Sequence, residues 1–314
     1  LGISVHTDLE ALGFGPFSAD FHVQAVGYSW ADYASPNPLL AARLTWQYGF
    51  FESVSLEAAL FVDRSDVFAD ALTSMPIEWA LRSGADPLSS FASLLEGQSD
   101  GAMRYLGVTG HHFLAERLSL TYAFAWQTGS LHTARPDPLA LVDGERFGER
   151  PDIEADLAFD ALAATAELHW SLTRALGLSL FGVSLSGQAP PRATPGEVIP
   201  MTVFVAPAPY WAWSGLFFSG MLNQGYLASR SNTAGINGHG VWVVGAKADM
   251  TLGESDHLLR ALWIRADEPR PLLGPGGPAG EEVSQEFTSD YGFEVDWLTD
   301  VPLYQWDGAQ VSLM

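Results

Sequence analysis

The sequence predicts an all-β chain: one transmembrane antiparallel up-and-down β-barrel spanning residues 1–314, with about twelve strands visible. Three observations predict it. Residues 118–127 alternate large apolar side chains (Leu118, Leu120, Tyr122, Phe124, Trp126) with small or polar ones (Ser119, Thr121, Ala123, Ala125, Gln127). Successive side chains on a strand point to opposite faces, so this strand has one apolar and one polar wall. The pattern recurs in paired segments along the chain, and connections within a pair are short while those between pairs are long. Short turns on one rim and long loops on the other are expected of a barrel in a membrane, and about 10 residues suffice for a tilted strand to cross it.

In chain order, the first hairpin sets Ile3, Val5, Thr7 and Leu9 against Ser4, His6, Asp8 and Glu10, turns at residues 13–16, and returns through Phe17, Phe21 and Val23 with Asp20 and His22 opposite. The second places Leu44, Trp46 and Tyr48 against Arg43 and Thr45, then Val54, Leu56 and Leu60 against Glu57, Phe61 and Asp63. The third joins residues 103–113 to the opening strand. The fourth has Leu162, Leu168 and Trp170 against Glu167 and His169 and returns over residues 176–186, where alternation blurs near Gly182. The fifth sets Trp242, Val244 and Met250 against Lys247 and Asp249 and returns through Trp263. The sixth sets Phe293, Val295 and Trp297 against Glu294 and Asp296, with a weaker partner at residues 304–314. Long loops are expected at about 65–100, 129–152, 187–238 and 268–287. Short helices are expected in the first, where Asp86 is placed as an N-cap before Pro87.

An even strand count puts both chain ends on the long-loop rim. One strand before Leu1 and one after Met314 would make fourteen and bring the ends to the other side; extra strands within residues 201–222 are the alternative.

Composition narrows the function classes. The chain has 314 residues, a formal charge of -22, 15 Lys and Arg together, and no cysteine. Nucleic acid is an unfavourable partner, since neutralising phosphates requires basic side chains. Disulfides and thiolate chemistry are excluded. The charge-free run 198–229 is broken by Pro200, Pro207 and Pro209, which argues against a membrane helix.

The apolar wall carries Trp46, Tyr48, Tyr122, Trp126, Trp170, Trp242, Trp263 and Trp297, side chains that form girdles at membrane–water interfaces. The opposite wall is expected to line a pore with His6, Asp8, Glu10, Asp20, His22, Arg43, Glu57, Asp63, Glu167, His169, Lys247, Asp249, Glu294 and Asp296. Acids dominate that set, so the expected lumen favours cations or neutral solutes.

The hairpins, together with the late segments Asn-Gly-His-Gly-Val-Trp-Val-Val-Gly-Ala at 237–246 and Gly-Phe-Glu-Val-Asp-Trp-Leu-Thr-Asp at 292–300, resemble bacterial outer-membrane porins, and more loosely the alginate-export-like barrels. The resemblance implies the outer membrane of a Gram-negative bacterium and a transport role; it carries over no substrate residues.

Other chemistry is poorly represented. His111 and His112 are adjacent and point to opposite faces, so they cannot chelate as a pair. The acidic stretch 143–156 lacks the ordered ligand spacing of a calcium loop. No Ser/His spacing singles out a nucleophile, and no cofactor is called for. Three readings follow: a passive or substrate-biased porin narrowed by the loops at 65–100 and 187–238; a structural barrel docking other envelope proteins or copies of itself through its long loops; and, ranked third, an outer-membrane enzyme. Membrane lipid is the partner common to all three.

Overall fold

A computed structural model describes residues 2–10, 15–26, 37–64, 98–135, 153–187, 198–204, 240–271, 287–306 and 309–313. The strands are β1 (Gly2–Asp8), β2 (Phe17–Val26), β3 (Asn37–Gln47), β4 (Ser53–Asp63), β5 (Gln98–Ala115), β6 (Leu118–Arg135), β7 (Ile153–Ser171), β8 (Leu176–Leu185), β9 (Ile199–Met201), β10 (Val241–Leu252), β11 (Ser255–Pro271), β12 (Phe287–Trp306) and β13 (Ala309–Leu313). Twelve of them form one antiparallel up-and-down path, β1 through β8 and then β10 through β13. The short β9 stands off that path and pairs in parallel with the start of β7. Among the described residues β1 and β13 are the two edges of the sheet.

The first five expected hairpins are present with the face assignment that alternation dictates. In the sixth, β12 runs on through Trp306, into residues expected in its partner, and β13 pairs with residues 301–306. Glu57 pairs with Arg43, Thr121 with Glu167, and Lys247 with Arg260, so these polar side chains share one wall. Leu106 pairs with Trp126, Trp126 with Leu162, and Val244 with Trp263 on the other. The turn between β10 and β11 needs only Gly253 and Glu254. Gly253 takes φ 66°, a left-handed conformation that glycine adopts without a Cβ penalty.

The sheet curls on its polar wall. Inward residues of β7, β8, β10 and β11 (Ala161, Phe181, Leu185, Val243, Leu262) belong to one buried cluster, against which Tyr105 of β5 and Ala125 of β6 also pack. Strands that distant in the sheet share an interior only if the sheet bends round on itself. The outward wall remains open, with Leu56, Leu180, Val244, Phe293 and Trp297 exposed.

β5, β6 and β7 are 18, 18 and 19 residues long, well beyond the length a membrane requires. Residues 129–135, expected in a loop, continue β6. The reason is a phase change. Up to Trp126 and Leu162 the large apolar side chains point outward. Beyond them Leu131, Leu157 and Phe159 point inward and are buried, while His132, Asp156 and Asp160 point outward. Alternation persists but its polarity inverts, so counting outward apolar residues ends the strand too early.

The expected helices at 65–97 lie outside the described residues, as does most of the expected loop at 187–238. Among the described residues no helix is long and apolar enough to cross a membrane, which says nothing about crossing by strands.

Candidate functional site

The inward wall has two layers. Nearer the short turns it is polar and carries several ion pairs. Arg43 Nη2 lies 2.8 Å from Glu57 Oε1, and Thr109 Oγ1 donates to the same oxygen at 3.2 Å. Lys247 Nζ reaches across β8 to Glu167 Oε1 at 2.9 Å. Arg260 Nη2 lies 3.5 Å from Asp296 Oδ2, both side chains about 10% exposed (11% and 10%). His6 Nδ1 is 2.7 Å from Asp20 Oδ1. His22 bonds Ser4 Oγ at 2.6 Å and Gln24 Oε1 at 3.1 Å, and His169 bonds Ser179 Oγ at 2.9 Å and Ser171 Oγ at 3.2 Å.

Thirteen of the fourteen expected lining residues lie on strands and share this wall; Glu10 falls beyond the end of β1. Asp8 accepts the Glu10 backbone N–H at 2.9 Å, a local bond that closes the strand end. Asp63 and Glu294 are buried rather than open to a lumen. Asp249 lines a recess of about 520 Å³ at the short-turn rim, together with His169, His257 and Asp300. Among the described residues no group of three or more His, Asp or Glu side chains is arranged to hold a metal ion.

Sequence reasoning missed Arg260. Its face of β11 otherwise reads Leu258, Leu262, Ile264 and Ala266, so no polar contrast marks it. The unbroken alternation of charge with small side chains that flags Glu167 and His169 on β7 is absent there.

Nearer the long connections the inward wall is apolar. Phe61, Met103, Leu131, Leu157 and Phe159 form a cluster with Met201 and Val203, and the two latter come from the connection after β8. Residues 199–204 thus enter the interior. Phe204 N donates to Ser186 O at 3.0 Å, Thr202 Oγ1 donates to Gly187 O at 2.7 Å, and the Phe204 ring meets Tyr105 edge-on at 6.2 Å. Satisfying those backbone and hydroxyl groups lets the segment be buried without orphaned donors. Each fully buried Phe or Met side chain contributes about 1.5–3 kcal/mol.

The outward wall carries every expected girdle residue, and Trp46, Trp170, Trp242, Trp263 and Trp297 are all exposed. At the loop-side edge of the apolar band, Trp126 Nε1 donates to Asp160 Oδ1 and Trp242 Nε1 to Asp267 Oδ1, each at 2.7 Å. At the short-turn edge His112 bridges two phenols, with Nδ1 bonded to the Tyr48 hydroxyl and Nε2 3.1 Å from that of Tyr122, whose ring stacks on it. His111 bonds the Phe51 carbonyl instead, since adjacent residues face opposite ways. Both band edges therefore hold rings whose polar atoms point away from the apolar strip. Along β6 the eight steps from Leu118 to Trp126 rise about 27 Å. Tilted about 40°, that is roughly 20 Å of height, close to the apolar belt of outer-membrane barrels.

No protein-family model matches the sequence, and no curated protein is significantly similar to it, so the porin and alginate-export resemblances gain nothing from sequence comparison. Among solved structures the chain is similar to the ferric-catecholate import receptor Fiu from E. coli K12. For the open form the identity is 9% and the TM-score 0.33 over 95% of this chain and 48% of the receptor. For the closed form they are 8% and 0.33 over 95% and 45%. The siderophore receptor PirA from Pseudomonas aeruginosa gives 9% and 0.27 over 97% and 60%. The chain spans about half the length of the first two receptors. At such TM-scores these likenesses carry no argument about function, which has to come from the two walls.

Proposed function

We propose that the chain is an outer-membrane β-barrel of a Gram-negative bacterium whose interior passes small neutral or cationic solutes, with its loop-side half narrowed by residues 199–204. The observation that carries this reading is the inversion of polarity along β6 and β7. Along these two strands, between the two aromatic edges, the outward wall is apolar and the inward wall small or polar, the reverse of a water-soluble sheet. Beyond Trp126 and Trp242 the order returns to that of a soluble protein. A bilayer is the solvent that explains a reversal confined to one band. In that solvent the free edges of β1 and of β12 over residues 287–300 must be satisfied, so the reading includes a closed barrel. Acidic side chains outnumber Arg43, Lys247 and Arg260 on the inward wall, which supports a modest preference for cations.

A second reading, a sealed barrel anchoring an envelope assembly through its long connections, draws on one observation: Phe61, Met103, Met201 and Val203 are fully buried, so the loop-side half is packed rather than open. Planar-bilayer recording separates the two. The channel reading expects small conductance from the native chain and a several-fold larger one from a V203S/F204S variant, with reversal potentials on the cation side. Sealed membranes from both proteins would favour the anchor.

A further inference from the structure

Two neighbouring rows of the inward wall cross β2 to β6. One runs His22, Ala41, Ala59, Tyr105, Gln127 and the next Asp20, Arg43, Glu57, Gly107, Ala125. Where they pass over β3 to β6, Ala41, Ala59, Gly107 and Ala125 supply almost no side-chain volume, and a recess of about 390 Å³ opens in the wall. That is within the range of small-molecule sites. Its floor is made of alanine and glycine carbons. Its rim sets donors beside acceptors: the Arg43 guanidinium, the Glu57 and Asp20 carboxylates, and the Tyr105 ring.

The charges of this rim are already matched. Arg43 neutralises Glu57 through Oε1, and Asp20 holds His6 through Oδ1. The second oxygen of each carboxylate has no protein partner among the described residues, and Arg43, half exposed, uses one of its nitrogens in the pair. A bare cation would have to compete with Arg43, and a phosphate would face two carboxylates. A vicinal diol faces neither difficulty, because each hydroxyl both donates and accepts, and so matches an alternating guanidinium and carboxylate rim. The C–H face of a sugar ring fits the Ala and Gly floor, and Tyr105 offers an aromatic edge. Tyr105 also touches Phe204, so the recess lies at the foot of the segment that narrows the interior.

We propose that this recess is a saccharide subsite on the inward wall, for a neutral mono- or disaccharide. As a transport subsite it rests on the channel reading, but binding itself does not require an open lumen. The test is saturation-transfer NMR on the detergent-solubilised protein, with maltose as the probe and tetramethylammonium and inorganic phosphate as the other arms. The expected result is saturable transfer to maltose, weakened at least tenfold in A125L and in A59L, whose added carbons fill the recess. It should persist in V108L, on the opposite face of β5. Circular dichroism verifies that each variant is folded. No transfer to maltose, equal transfer in A125L and A59L, or displacement of maltose by either ion at equal concentration would overturn the proposal. Maltose binding by a barrel that seals planar bilayers would remove the channel reading and leave the subsite. Conductance without maltose binding would do the reverse.

Discussion

Lys247 and Glu167 meet across an intervening strand with only 25% and 21% of their side chains exposed, so each is the main compensation for the other's lost hydration. Removing one leaves a charge stranded in a partly buried place. We expect K247M to destabilise the fold by about 2–3 kcal/mol, less than the roughly 3–5 kcal/mol of a fully buried pair because some solvent screening remains. The K247M/E167Q double variant should recover at least half of that, as read from denaturant unfolding in lipid vesicles. Equal losses in the single and double variants would mean that the pair is not coupled. Phe124 tests the other wall. It points outward in the middle of the apolar band, and F124R should cost about 2–4 kcal/mol in the same unfolding experiment if that band lies in hydrocarbon. A loss below about 0.5 kcal/mol would match an ordinary solvated surface position instead.

The strands were legible from sequence where the two walls differ in chemistry and illegible where they do not. Residues 118–126 and 162–170 announce themselves because large apolar side chains alternate with Thr, Glu and His. β8 blurs near Gly182, since Phe181 and Val183 on the inward wall are as apolar as Leu178 and Leu180 on the outward one. β6 beyond Gln127 reads as loop because its polarity inverts, although its hydrogen-bonded register with β5 and β7 continues. Residues 199–204 are expected from sequence only as part of the loop at 187–238 that narrows the interior, with extra strands within 201–222 as an alternative. Their role depends on Ser186, Gly187 and Tyr105 being brought close by the curl of the sheet, which no local pattern encodes. As a steric element the segment predicts a graded effect: V203S alone should raise single-channel conductance less than V203S/F204S, because Phe204 bridges to the far wall. Identical conductance in both variants and the native chain would show that the segment does not limit the passage.

At the scale of the whole molecule, the proposed barrel would be divided by solvent rather than by sequence. A lipid-facing belt would surround a polar interior with ion pairs, and above it a soluble-like collar would surround an apolar core. β13 pairs only with residues 301–306 of β12, so beside the apolar band the free edges are β1 and residues 287–300 of β12. These run in the same sense, and the two strands alone do not close an up-and-down barrel. The absence of cysteine makes the decisive experiment clean, because any single introduced thiol is the only one. Cysteines placed one at a time along β6 from Leu118 to His132, spin-labelled and reconstituted in vesicles, would report contact with oxygen dissolved in lipid or with a water-borne nickel chelate. The account predicts lipid contact at Leu120, Tyr122, Phe124 and Trp126 and none at Thr121, Ala123 and Ala125. Beyond Trp126 it predicts water at Ser130 and His132, with Leu131 shielded from both. Water contact at Phe124 and Trp126, or a two-residue period that fails to invert beyond Trp126, would contradict it.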